Sequence, residues 1–110
     1  MRKRFITIAA LGLCLAACAK PLPADKAAYA GDWNAPTMTL RITPGGSVAY
    51  KRVEGHGSTS ISAPLKAFVG HDFIVGVGPV KTTFKVSVPP HQDQGQWKMT
   101  VDGVELTRKP

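Results

Sequence analysis

From residue 31 onward the chain alternates between apolar and polar positions. Met38, Leu40 and Ile42 are separated by Thr39 and Arg41, and Val48 and Tyr50 alternate with Ser47 and Lys51. Phe73, Val75 and Val77 share one side of the next run, and Phe84, Val86 and Val88 alternate with Lys85 and Ser87. Trp97, Met99 and Val101 alternate with Gln96, Lys98 and Thr100, and Val104, Leu106 and Arg108 complete the series. A period of two puts one face of a strand inside and the other in water. No sustained helical period follows residue 31. Between the runs lie Pro44-Gly45-Gly46, Glu54-Gly55-His56-Gly57, Gly70-His71-Asp72, Gly78-Pro79, Pro89-Pro90 and Asp102-Gly103. These are turn formers, and Asp-Gly is a strong two-residue hairpin signal. The segment 58 to 69 is interrupted by Pro64 and reads as an edge strand, a bent strand or two short pieces.

The pattern predicts an all-β domain over residues 29 to 110: an antiparallel meander of about seven strands forming a small barrel or sandwich. The outward positions are Thr, Lys, Arg, Ser and Gln, as a solvated exterior requires. The inward positions include Tyr50, Phe73, Phe84, Trp97 and Met99. Side chains of that size are expected to fill the interior of so small a barrel.

The first residues follow a different rule. Met1-Arg2-Lys3-Arg4 is basic without an acid, residues 5 to 17 carry no charge, and the chain then turns polar and proline-broken. A charged head, a short apolar middle and small residues at the end are the anatomy of a secretory signal, here residues 1 to 17. The apolar run is short of the roughly 20 residues that a bilayer-spanning helix needs. Residues 18 to 28, with Pro21 and Pro23, read as a flexible, extended tether. At about 3 Å per residue it would hold the domain roughly 30 Å from a lipid surface.

Leu15-Ala16-Ala17-Cys18 resembles the lipobox of bacterial lipoproteins. The resemblance implies that the Cys18 thiol receives a diacylglyceryl group, that the signal is cut just before Cys18, and that the new amino terminus is acylated, with palmitate as the tracer. Cys14 would leave with the signal, so no intramolecular disulfide could form in the remaining chain. More than one acyl chain gives stable attachment to a membrane. In that family an aspartate after the cysteine often retains the protein at the inner membrane. Ala19 stands there instead, which implies the outer membrane, with the domain facing the periplasm.

Charge narrows the partners. The chain has 14 basic and 7 acidic residues, and three of the basic ones, Arg2, Lys3 and Arg4, belong to the signal. The remaining excess is mild and dispersed, which suits an anionic membrane, a glycan or an acidic protein. It speaks against nucleic acid as a partner. Catalysis is not expected, because there is no Gly-x-Ser-x-Gly elbow and no cysteine after Cys18. Asp32, Asp72 and Asp102 read as turn residues whose carboxylates hydrogen-bond locally. His56, His71 and His91 also fall in turns. In a simple meander His71 and His91 share an end with Asp72 and Asp93, a set that could bind zinc. Their spacing is not diagnostic, solvated turn residues are the preferred reading, and no metal or cofactor is expected.

Arg108 breaks the pattern, because a guanidinium on an apolar strand face is costly unless it is stacked. An indole face is a favourable surface for it. Gly31-x-Trp33 together with Arg108 resembles the barrel closure of the lipocalin-like (calycin) families, in which the arginine lies across the tryptophan and seals one end. The size and β character are also similar to those of small lipoprotein inhibitors of lysozyme, whose usual disulfide has no counterpart here. Together these features point to a lipid-anchored envelope protein whose domain is a non-catalytic binding or interaction module for a protein or glycan. The alternatives are a purely structural envelope lipoprotein and a carrier of a small hydrophobic ligand.

Overall fold

Alternation in the sequence becomes a single buried face in space. The computed structural model describes residues 20–110. Nine strands are formed: β1 (Gly31–Asn34), β2 (Met38–Ile42), β3 (Ser47–Glu54), β4 (Gly57–Val69), β5 (Asp72–Val77), β6 (Val80–Phe84), β7 (Val86–Asp93), β8 (Gln96–Val101) and β9 (Val104–Arg108). A short 3-10 helix, Ala24–Tyr29, precedes them. In β2 Met38, Leu40 and Ile42 are buried while Thr39 and Arg41 are exposed. The strands pair in the order β6-β5-β4-β3-β2-β1-β9-β8-β7. Every pairing is antiparallel. The protein is therefore all-β, one sheet curled into a half-barrel. Its first and last strands meet, with Trp33 opposite Arg108 and Asn34 opposite Thr107.

Two corners give the sheet its curl. At the first, β4 pairs with β3 through residues 57 to 64 and with β5 through residues 65 to 69, with a register shift between Leu65 and Ala67. Of the alternatives for this segment, the bent strand is the one adopted, and Pro64 sits where the chain changes partners. At the second corner only Lys85 separates β6 from β7. The Lys85 amide donates to Asp102 Oδ1 at 2.9 Å, and its carbonyl accepts from the Asp102 amide at 2.7 Å. The Val86 amide donates to Asp72 Oδ1 at 2.7 Å. Backbone groups freed at the bend are thus satisfied by Asp72 and Asp102.

Several expectations are corrected here. The run from Phe84 to Val88 is not one strand, because the chain breaks at Lys85. Asp72 and Asp102 bond to backbone 14 and 17 residues away rather than within their own turns. Asp32, read as a turn residue, lies with Trp33 in β1, a strand too short to show a period of two. Pro89 and Pro90 lie inside β7 rather than in a turn, and so does His91. β7 ends the pairing order, where a missing amide is tolerated. Its ladder shifts register between Val86 and Val88 and again before His91. The first shift ends the alternation, so Val88 is exposed where it was expected inside. Val77 is exposed too, at the end of β5 where it pairs with Val80 beside the β5–β6 turn.

The concave side is filled. Phe73 stacks on Phe84 at 5.0 Å between centroids, and Tyr50 meets Phe84 edge-on at 4.9 Å. Tyr29, from the 3-10 helix, meets Phe73 at 6.2 Å. Trp33, Met99 and Leu106 are completely buried around them. Each buried ring or aliphatic side chain of this size favours the fold by about 1.5–3 kcal/mol.

The segment expected to be an extended tether is a strap from Lys20 on. The Leu22 amide donates to the Pro44 carbonyl at 3.1 Å, and the Lys20 carbonyl fills the space where Gly46 lacks a Cβ. Lys26 Nζ donates to the Gly70 carbonyl at 3.1 Å, and the buried Tyr29 donates its hydroxyl to the His71 carbonyl at 2.8 Å. The expected signal over residues 1 to 17, and Cys14 and Cys18, lie outside the described residues. Among the described residues no helix is long and apolar enough to cross a membrane.

Candidate functional site

Two features stand out, the end of the half-barrel where Trp33 and Arg108 meet and a hollow on its outer wall. At that end Trp33 is wholly buried, and its Nε1 donates to the Tyr29 carbonyl at 2.9 Å. The Arg108 guanidinium carbon lies 5.7 Å from the centroid of the Trp33 ring and 4.8 Å from that of Trp97. Nη1 of Arg108 donates to the carbonyls of Ala28 and Ala30, at 3.4 and 3.3 Å, where the 3-10 helix ends. The carbonyls at a helix end lack partners within the helix, and a cation there is favourable. Gly31 makes room for this, with φ at 142° and no Cβ to collide with the Arg108 methylenes.

The two residues singled out at opposite ends of the sequence are thus brought into contact, along with Gly31. Trp97 is the member that pattern reading missed. Alternation placed it inside, but only the register of β8 on β9, with Lys98 opposite Thr107, brings it to Arg108.

The hollow lies on the outward face of β1 to β4 and has a volume of about 450 Å³. Ala49 opposes Arg41 on one side and Ser62 on the other, so a small side chain stands among longer ones. Asp32, Asn34, Thr39, Ser60 and Lys109 complete the polar lining. Arg41 Nε donates to Asp32 Oδ1 at 2.5 Å. That bond, with the charge of Arg41 behind it, holds the Asp32 carboxyl below its usual range and raises Arg41 in turn. Nδ2 of Asn34 is shielded from solvent and has no hydrogen-bond partner. The lining offers hydroxyls, an amide, a carboxylate and two cations, with no thiol or imidazole among them. Such a set can hold polar groups by hydrogen bonds.

His71, Asp72, His91 and Asp93 are placed in β5, β7 and the turn before β5. Asp72 holds Val86, and His91 Nδ1 lies 2.9 Å from the Pro89 carbonyl. Among the described residues no three His, Cys, Asp or Glu side chains are grouped to hold a metal ion. His56 occupies the exposed β3–β4 turn. No family model matches the chain, and neither a curated protein nor a solved structure was found to match it. What defines the molecule is its architecture: an all-β half-barrel with residues 20 to 30 strapped against the Pro44–Gly46 and Gly70–His71 turns.

Proposed function

We propose that this is a lipid-anchored protein of the bacterial envelope, held at the outer membrane through Cys18, whose half-barrel is a non-catalytic binding module for a polar envelope partner. The lipobox-like Leu15-Ala16-Ala17-Cys18 supports the anchor. The Gly31, Trp33 and Arg108 contact supports a lipocalin-like closure of the domain. The observation that carries the binding role is the contrast between the two sides of the wall. The inside is occupied by Phe73, Phe84 and Tyr50, which disfavours a carried hydrophobic ligand. The outside keeps an open hollow lined by the hydroxyls of Thr39, Ser60 and Ser62. Hydroxyl-rich ligands such as cell-wall glycans match that lining.

Two measurements test this. Radiolabelled palmitate should enter the wild type and the Cys14→Ala variant but not Cys18→Ala, and equal labelling of all three would end the anchor reading. Ala49→Trp should fill the hollow from its floor, on the outward face, without touching the core. Chain lacking residues 1 to 19 should co-sediment with purified cell-wall glycan, and Ala49→Trp should not. Co-sedimentation of neither, with recovery of a crosslinked envelope protein by the wild type alone, would replace the glycan by a protein partner. Equal behaviour of both proteins in both assays would remove the hollow from function.

A further inference from the structure

We infer that the strapped end of the half-barrel is held directly against the lipid headgroups, with β3 and β4 leading away from the membrane to their hairpin. This rests on the reading of Cys18 as the lipidated residue. A tether of eleven residues, 18 to 28, would leave the domain free to sample any orientation above the membrane. The structure removes nearly all of that length. From Lys20 to Ala30 the chain is fastened at successive points: Lys20 against Gly46, Leu22 to Pro44, Lys26 to Gly70, Tyr29 to His71, and the carbonyls of Ala28 and Ala30 to Arg108. Two residue steps separate Cys18 from Lys20, a reach of about 7 Å at full extension. Thioether-linked lipid at Cys18 therefore keeps the Pro44–Gly46 turn within one short span of the headgroup layer.

The composition of that end fits such a position. Lys20 and Lys26 supply positive charge against Asp25 alone in the strap. Long basic side chains keep their heads at a polar boundary while their stems lie on apolar surface, and anionic headgroups attract them. Lys26 is held at that end, its ammonium bonded to the Gly70 carbonyl and 5.5 Å from the Phe68 ring centroid. Val69, 60% exposed, adjoins Gly70 in the same turn. Valines are exposed elsewhere as well, at Val77 and Val80, so it is the fastening that sets the orientation and the composition that accommodates it. β3 begins at Ser47, beside the fastened turn, and runs seven steps to Glu54, about 23 Å at strand spacing. The Gly55–His56 tip is consequently the outermost part, and the hollow on the wall of β1 to β4 stays clear of lipid.

The test uses the full-length protein purified from envelopes. If Cys18 is acylated its thiol is blocked, so a cysteine introduced elsewhere is uniquely labelled. Gly45→Cys and Val69→Cys mark the strapped end, and His56→Cys marks the tip. Gly45 leaves open space for a side chain, which protects the experiment should Val69→Cys fold poorly. Each variant is labelled with a fluorophore and reconstituted into phosphatidylethanolamine and phosphatidylglycerol vesicles carrying a headgroup nitroxide lipid. Fluorescence at positions 45 and 69 should be largely lost and that at 56 largely kept. A flexible Gly-Ser insert between Ala19 and Lys20 should abolish the difference. Equal quenching at all three positions in acylated protein, or a difference unaffected by the insert, would overturn the orientation and leave the anchor standing. An intact mass without acyl groups would overturn both, and identifies the anchor reading as the one that failed.

Discussion

Replacing Arg108 by alanine should destabilise the domain by about 2 kcal/mol, and most of that loss should vanish when Trp97 is already gone. The guanidinium faces two indoles, at 4.8 and 5.7 Å, in a partly buried site. A cation–π contact contributes about 0.5–2 kcal/mol as desolvation increases, with the shorter contact at the upper end. The bonds to Ala28 and Ala30, at 3.4 and 3.3 Å, are long for N–H···O and add little. The Arg108 stem lying on Gly31 adds packing that alanine also removes. At about 4–8 °C per kcal/mol for a domain of this size, the melting midpoint should fall by roughly 8–16 °C. A domain of 91 described residues is expected to have about 5–14 kcal/mol in total, so Arg108→Ala should still fold. Trp33→Ala is less useful, since removing a fully buried indole costs about 3–5 kcal/mol and approaches that total. The informative cycle therefore pairs Arg108→Ala with Trp97→Ala, read by urea and thermal unfolding of the chain lacking residues 1 to 19. The coupling energy should be about 1 kcal/mol or more, as for residues in contact. Arg108→Lys should recover little, because an ammonium keeps the charge but not the planar face that lies on the rings. Losses that add to within about 0.5 kcal/mol would show that the stack contributes nothing. Full recovery by lysine would mean that charge at the helix end, not stacking, holds the seal.

Other consequences can be measured on the same protein. Burial, and then the negative charge of Asp72, push the Tyr29 phenol above its usual value, so the folded state holds this proton more tightly than the unfolded chain does. Stability should fall as pH rises past about 10, and Tyr29→Phe should flatten that slope; an unchanged slope would remove Tyr29 from the alkaline transition. Asp32 has the opposite sign, since its lowered value makes the stabilisation by Arg41 complete above the ordinary carboxylate range and lost as pH falls through the folded-state value. Asp32→Asn should remove that small acid-side dependence, and so should high salt, because the pair is exposed; a dependence that salt leaves intact would point to another carboxylate. Gly46→Ala, at φ 95° and against the Lys20 carbonyl, should speed hydrogen exchange at the Leu22 amide while β8 amides keep their protection. Exchange rising uniformly across the sheet would instead mean that the strap and sheet unfold together.

Local pattern was enough for the all-β class, for the positions of β2, β3, β5, β8 and β9, and, Val77 apart, for which of their side chains face inward. Those features depend on side chains two residues apart and on turn formers such as Pro44-Gly45-Gly46 and Asp102-Gly103, all contained in a short stretch of chain. The oddity of Arg108 was legible for the same reason, as one charge in an apolar row. Its partners were only partly so: Trp33 stood out beside Gly31, whereas Trp97 resembled any other core residue until the β8–β9 register set it across from Arg108. The bends were not legible. Pro89 and Pro90 signal a turn by their own conformational limits, and only the place of β7 at the end of the pairing order lets them lie in a strand. Asp72 and Asp102 looked like turn residues, because the Lys85 corner they hold is assembled from chain 14 and 17 residues distant. The strap shows the same limit most plainly. Alanine, proline and lysine between residues 19 and 28 carry little apolar pattern of their own, so the sequence reads as a spacer. Its backbone becomes fixed only because Pro44, Gly46, Gly70 and Arg108, drawn together by the curl of the sheet, present the hydrogen-bond partners and the empty space that it occupies.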